Sequence, residues 1–131
     1  MDSYLNWLDK AVGAKLAEGA VGKVVFVRAH FQWTADHGVL QPVLDAGLAI
    51  VGGWVGSSIR KQDLQGSAGA GFLNTLVDFD GGQTALVASE VTLGGEPQTQ
   101  VLVVGQNGTV RFDDYPDPGL LRQAPQRGVR R

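Results

Sequence analysis

The chain has 131 residues, of which 44% are hydrophobic and 18% charged, a composition typical of one globular domain. Its net charge of -2 argues against a nucleic-acid-binding protein dominated by basic residues, and the absence of cysteine excludes disulfides, thiolate nucleophiles and cysteine–zinc sites. No apolar run reaches the roughly 18 residues of a membrane span. The N-terminus MDSYLNWLDK lacks the basic and apolar regions of a secretory signal, so we expect a cytoplasmic protein.

The first half of the chain predicts two helices and two strands. Apolar residues recur at helical spacing over 3–18, and the alternation in GKVVFVRAHFQWT at 22–34 is typical of a strand with one buried face. A second helix is predicted at about 40–55, and a short strand near 58–61. The sequence GSAGAG at 66–71 has the composition of a flexible connection.

The second half predicts a run of strands separated by turns. Strands are expected in GFLNTLVDFD, QTALVASEVTL, TQVLVVG and TVRFDD. Asp80–Gly82 and Asn107–Gly108 are typical of hairpin turns, because glycine adopts positive φ without strain, and GGEP at 94–97 predicts another turn. Segregated helices and strands indicate an α+β fold. We expect an open, mostly antiparallel sheet of about five to six strands with two helices packed on one face.

A single α+β domain is predicted to span 1–115, followed by a tail at 116–131. The tail is rich in proline and arginine and has no periodicity, so we expect it to be extended or poorly ordered. Its arginines would suit an acidic partner or nucleic acid, but they lack interleaved aromatic residues: Arg122, Arg127, Arg130 and Arg131. We therefore predict a solvated terminus without a nucleic-acid partner.

The order of four segments resembles the C-terminal half of the Gfo/Idh/MocA oxidoreductase family: GKVVFVRAHF, DAGLAIVGGWVG, FLNTLVDFDGGQTALVASEV and VLVVGQNGTVRF. The similarity runs from about Trp7 to about Asp114. It implies the family's α+β substrate and oligomerisation domain without its Rossmann domain. The family's Gly-x-Gly-x-x-Gly turn and its Glu-Lys-Pro do not occur, and GSAGAG is not predicted to join a strand to a helix. The resemblance therefore implies no bound cofactor.

The second predicted helix resembles the family segment with the pattern Asp-x-Gly-x-His-x-x-Asp, whose His is a general acid–base beside the hydride acceptor. Asp45 and Gly47 match this pattern. The His position is Ala49, however, and the second Asp position is Gly52. The resemblance thus implies the helix without its proton-transfer residue. We do not expect a nicotinamide-dependent dehydrogenase in this chain alone, and we leave other enzymatic activity open.

Five polar residues are candidates for binding a sugar or polyol in a pocket over the second helix: Asp45, Arg60, Lys61, His37 and Asn74. Asp45 has a structural alternative, in which the backbone or Arg60 satisfies its carboxylate. The two histidines, His30 and His37, have no metal-binding spacing, so no metal site is predicted. The glycines of the helix either allow close packing on the sheet, which we favour, or the close approach of a ligand or second backbone: Gly47, Gly52, Gly53 and Gly56.

Two hypotheses of different classes follow for function. In the first, a non-catalytic domain associates as a homo-oligomer through its sheet face, which the resemblance implies is a subunit contact, or pairs with a separate nucleotide-binding subunit. Apolar residues that share strand faces with polar neighbours would form the interface: Phe26, Phe72, Leu76 and Leu86. In the second, the pocket over the helix binds a sugar or polyol, or supports a cofactor-free isomerase or lyase. The chain could also be one domain of a longer oxidoreductase.

Overall fold

The computed structural model describes residues 2–34, 37–92 and 97–116. The elements follow one another as α1 (Asp2–Ala17), β1 (Val24–Thr34), a short 3-10 helix (His37–Val39), α2 (Leu40–Val55), β2 (Ile59–Ser67), β3 (Phe72–Phe79), β4 (Thr84–Val91), β5 (Gln98–Gly105) and β6 (Thr109–Asp114). Six strands form one sheet, and both helices pack on the same side of it. The expected α+β class with two helices on one face is confirmed.

The sheet has the strand order β2-β3-β4-β1-β5-β6. All neighbouring strands are antiparallel except β1 and β4, which run parallel. The predicted hairpins at Asp80–Gly82 and Asn107–Gly108 are present and join β3 to β4 and β5 to β6. The strands nevertheless do not form an uninterrupted meander, because β1 lies between β4 and β5. The turn predicted at 94–97 falls, except for Pro97, outside the described residues.

The strand β2 is longer than the sequence predicts. It runs over Ile59–Ser67 instead of 58–61. The first two residues of GSAGAG are the last two of β2, and the rest of that segment forms the turn to β3. Gly66 and Gly71 have φ of +88°, which glycine adopts at low cost. Every residue of β2 is exposed, so the strand lacks the apolar alternation that marks a half-buried strand. The predicted tail at 116–131 lies outside the described residues, apart from Pro116.

The core lies between the helices and the sheet. Alternate residues of β1 point into it, and α1 covers them with Tyr4, Leu5, Leu8 and Val12. The Tyr4 ring meets the Trp33 ring edge-on, with the ring centroids 5.3 Å apart. Such aromatic pairs stabilise a core beyond the area that they bury.

Two buried side-chain hydrogen bonds join distant parts of this core. The Tyr4 hydroxyl donates to Oδ2 of Asp114 at 2.7 Å, which joins α1 to β6. The Trp33 indole Nε1 donates to Oγ1 of Thr99 at 2.8 Å, which joins β1 to β5. Buried polar groups that lack partners destabilise a fold, so both bonds stabilise it: the first holds α1 against the edge strand β6, and the second holds two neighbouring strands of the sheet together.

The helix α2 is the second part of the helix layer. By length and composition, His37–Val55 is apolar enough to cross a membrane. Here, α2 instead packs on the sheet through one side: Leu40, Val43, Leu44, Gly47, Val51 and Val55. The apolar side of α2 is thus buried against the sheet of the domain.

The side of the sheet without helices is here called the open face. It is formed by every second residue of the four inner strands, β3, β4, β1 and β5. The residues between them are mostly buried. The open face consists of Phe26, Arg28, His30, Gln32, Phe72, Asn74, Leu76, Asp78, Thr84, Leu86, Ala88, Glu90, Gln98, Gln100, Leu102 and Val104. None of the described elements covers these residues.

Candidate functional site

The open face brings the four predicted interface residues onto one surface. Leu76 and Leu86 lie directly opposite each other on β3 and β4. Phe72 and Phe26 lie on β3 and β1 of the same face. Leu76 is 48% exposed and Phe72 37% exposed, whereas Phe26 and Leu86 are half-buried. In a single copy of the chain, parts of this apolar surface are therefore exposed to water.

The same apolar surface continues onto β5, which contributes none of the four predicted interface residues. Leu102 lies opposite Arg28, and Val104 lies opposite Phe26. The pairing of β5 with β1 joins residues far apart in the sequence, such as Arg28 and Leu102, so no local pattern shows that Leu102 lies on the same surface as Leu76 and Leu86. The alternation of TQVLVVG is the one signal that could have placed Leu102 on an outward face.

A polar cluster lies on the open face beside the apolar residues. Nε2 of His30 is 2.5 Å from Oε1 of Glu90, and Gln32 Nε2 donates to the same oxygen at 3.2 Å. The His30 and Glu90 side chains are 20% and 35% exposed. Arg28, two residues before His30, is exposed between Leu86 and Leu102. Charged groups of both signs thus lie among the apolar side chains.

The five candidate ligand residues do not converge on one pocket. Asn74 and Lys61 face the open side of the sheet, because Asn74 is one of its residues and Lys61 pairs with Asp78. Asp45 lies on α2, in the layer on the opposite side. His37 is exposed in the 3-10 helix before α2, and Arg60 is exposed on β2. The structure separates these side chains into at least two surfaces.

The surroundings of Asp45 favour its structural alternative. Its carboxylate accepts a hydrogen bond from Nε2 of Gln41, one turn earlier on the same helix, at 2.8 Å. This pair replaces the contact with Arg60 that the sequence suggested. Ala49, one turn later, is exposed and carries no group that could exchange a proton.

The glycines of α2 have different surroundings. A Cβ on Gly47 would lie 2.7 Å from Cε2 of Phe31, so the favoured packing explanation holds at this position. Gly56 ends the helix with φ of +72°. A Cβ on Gly52 or Gly53 would meet no atom of the described residues within 4 Å, so packing among those residues does not explain these two glycines.

The glycine-rich segment at 66–71 does not have the geometry of a dinucleotide-binding turn. A dinucleotide site uses a glycine-rich turn from a strand into a helix, whose N-terminus meets the pyrophosphate. Here, the glycine-rich segment joins β2 to β3 in a hairpin. Within 2–34, 37–92 and 97–116, moreover, no three acidic or histidine side chains group together as a metal site would require.

Comparison with known proteins shows the fold. No family model matches the chain. No curated protein matches it either. Among solved structures, a probable dehydrogenase from Thermotoga maritima has a TM-score of 0.73 and 14% identity over 86% of this chain. An oxidoreductase from Agrobacterium radiobacter, in complex with NAD+, L-tartaric acid and magnesium, has a TM-score of 0.62 and 24% identity over 82% of this chain.

A scyllo-inositol dehydrogenase from Lactobacillus casei with bound NAD(H) and scyllo-inositol has a TM-score of 0.59 and 12% identity over 86% of this chain. The chain spans only 40%, 38% and 38% of these three proteins, in the order given. At such low identities the likeness concerns the fold, and it agrees with the resemblance of the four sequence segments. The chain thus has the α+β fold of the C-terminal domain of Gfo/Idh/MocA-type dehydrogenases.

Proposed function

We propose that this dehydrogenase-type domain acts through association, without catalytic activity of its own, and that a second copy covers its open face. The observation that carries the proposal is a set of three leucines, Leu76, Leu86 and Leu102, on a face that no described element covers, with Arg28 of β1 between the last two. Covering apolar surface of this kind is the main favourable contribution to most protein association. A two-fold arrangement would present the same leucines from both copies.

The charges of the open face suit a second copy as well. Arg28 carries a positive charge between two leucines, and Glu90 carries a negative charge on the neighbouring strand. A face with both signs can place each group of one copy near the opposite group of the other. Such an arrangement fixes the orientation of two subunits more than it adds to their affinity.

The lack of catalytic activity rests on the site residues. The position that the family resemblance assigns to a general acid–base is Ala49, and the glycine-rich segment forms a hairpin. This domain thus lacks two groups that the resembling family uses to transfer a hydride to a dinucleotide. We accordingly regard it as a pseudoenzyme, and we place it in the cytoplasm, away from membranes and nucleic acids.

A separate nucleotide-binding subunit is the alternative partner. The outer side of α2 supports it, since exposed Ala49 and Gly53 would allow another backbone to approach closely. This chain spans only about 40% of the dehydrogenases that share its fold. A separate subunit could supply the part that corresponds to the rest of those proteins. Co-purification with a Rossmann-type protein that binds NAD(H) would favour this partner over a second copy.

Size-exclusion chromatography with light scattering tests the association directly. At micromolar concentration, we expect a mass of at least two copies, with a monomer appearing on dilution. A strict monomer across the concentration series, with no partner captured, would refute association as the function.

The rival function is binding of a sugar or polyol over α2, with the exposed carboxylate of Asp45 as the candidate ligand on that helix. Its support is indirect: the dehydrogenase from Lactobacillus casei was solved with scyllo-inositol, and the oxidoreductase from Agrobacterium radiobacter with L-tartaric acid. A thermal-shift screen with polyols and sugar acids, with and without NAD(H), separates the two functions. Association predicts no shift, whereas a shift that Asp45→Asn abolishes would establish the rival.

A further inference from the structure

The strand β2 is an edge of the sheet that the rest of the described chain leaves open. It pairs with β3 alone, and all nine of its residues are exposed. The helices do not cover its inner side: Leu64, opposite Thr75, is 58% exposed. Such an edge presents unpaired backbone N–H and C=O groups along its length, which makes it a template for another strand.

The charges of β2 are arranged so that the strand is complementary to itself. Lys61 and Asp63 lie two residues apart and point to the same face, with Gln62 between them. If two copies of β2 pair antiparallel with Gln62 opposite Gln62, each Lys61 lies opposite the Asp63 of the other copy. Opposite charges in directly paired positions stabilise an antiparallel pair, and like charges destabilise it.

We propose that a second copy of this chain pairs with β2 in this register, which would extend the sheet across a two-fold axis at Gln62. Arg60 lies at a β-bulge between Ile59 and Lys61, so the regular pairing around this axis is expected over Lys61–Asp63. This pairing uses a different surface from the open face, so a chain that forms both contacts would assemble beyond a dimer. The inference does not depend on the proposed function.

Neighbouring registers are less favourable. With the axis at Lys61 or at Asp63, two like charges face each other at the centre of the pair. With the axis at Leu64, the leucines meet but neither charge finds an opposite partner. These registers therefore lack the cross-strand charge pairs that the axis at Gln62 provides in addition to the 3.9 Å contact between Lys61 Nζ and Asp63 Oδ2 within the strand.

The other edge strand, β6, is a poorer candidate. It also carries a basic and an acidic residue two positions apart, Arg111 and Asp113. Its intervening residue Phe112 packs against Trp7 of α1, with ring centroids 5.6 Å apart, so the helix layer borders this edge. Pairing β2 with β6 of another copy would also produce an open chain of molecules instead of a closed dimer.

Single cysteines test the register, because the sequence contains no natural cysteine. Residues directly opposite in an antiparallel pair have Cβ atoms about 4.5–5.5 Å apart, close to the spacing of a disulfide. We expect the Gln62→Cys variant of the full chain to form a covalent dimer in an oxidising glutathione buffer. Leu64→Cys is the matched control on the same strand and side, and in this register its copies lie about 13 Å apart.

The pattern of crosslinking between the two cysteine variants decides the register. A covalent dimer of Gln62→Cys, with Leu64→Cys remaining a monomer, supports the inference, provided that both variants keep the far-ultraviolet circular dichroism of the unmodified chain. Crosslinking of Leu64→Cys and not Gln62→Cys, or of neither, overturns it. Gln62 pairs with Val77, which is buried on the helix side, so a dimer through the open face would not bring two copies of residue 62 together.

A charge exchange gives a second test. In the Gln62→Cys background, Asp63→Lys would place lysine opposite lysine, and we expect the crosslink to be lost. Adding Lys61→Asp restores opposite charges across the axis and should restore the crosslink. An Asp63→Lys variant that crosslinks as well as its parent would refute the register. Leu76→Ala should leave the crosslink intact, which separates this inference from the proposed use of the open face.

Discussion

Shortening Leu76 to alanine should weaken association through the open face by about thirty-fold. Fully burying a leucine side chain contributes roughly 1.5–3 kcal/mol, and Leu76 is 48% exposed in the single chain. Covering the remaining half therefore contributes about 1 kcal/mol. A two-fold interface contains this side chain twice, so Leu76→Ala removes about 2 kcal/mol, which corresponds to about thirty-fold in the dissociation constant.

Sedimentation equilibrium over a concentration series measures this change, and Ile59→Ala is the matched control. Ile59 is 40% exposed, but it pairs with Phe79, which is buried on the helix side. Its shortening should leave the dissociation constant within about two-fold of the original, because Ile59 lies off the open face and, across the bulge at Arg60, outside the Lys61–Asp63 pairs proposed for β2. If both variants changed association equally, or if Leu76→Ala changed nothing, the open face would not be the contact.

Three further predictions concern the fold, and urea denaturation of full-length variants measures each of them. Gly47→Ala should lower the free energy of unfolding by about 1–3 kcal/mol, because its Cβ would lie 2.7 Å from a Phe31 ring carbon. Gly53→Ala should raise it by up to about 1 kcal/mol, since alanine favours a helix and nothing lies within 4 Å; a loss as large as that of Gly47→Ala would contradict this reasoning. Tyr4→Phe should lower it by about 1.5–3 kcal/mol, because it removes the hydrogen bond to the buried Asp114 carboxylate; an unchanged midpoint would show that this bond adds no net stability.

Much of the helix layer follows from local sequence. The apolar spacing predicted α2 at about 40–55, and the helix runs over Leu40–Val55. It ends at Gly56, whose left-handed conformation is the one that glycine supplies at helix ends. Helical periodicity and a terminating glycine are properties of neighbouring residues, so the sequence shows them without any tertiary information.

The extent of β2 and the partners of β1 could not be predicted in this way. The polar sequence of β2 is compatible with a loop until its pairing with β3 is known. The place of β1 between β4 and β5 depends on residues far away in sequence, since Phe26 pairs with both Thr84 and Val104. Periodicity assigns a face to each residue of a strand, but it does not identify the neighbouring strand.

The candidate site shows the same limit. The sequence predicted that Leu76 and Leu86 share an outward face, and the structure places them opposite each other. It also grouped Asp45 with Asn74, which lie on different sides of the sheet. Face assignment within one strand was reliable here, whereas the proximity of residues on different elements required the topology.

The central position of β1 has a consequence for synthesis on the ribosome. This strand is made first among the six, yet its neighbours β4 and β5 end at Val91 and Gly105. Until those residues emerge, both hydrogen-bonding edges of an apolar nascent strand remain without their native partners. Chains with such non-local pairing fold slowly and are prone to aggregate while incomplete. Nascent chains that stop before Gly105 should therefore depend on chaperones far more than the finished protein does.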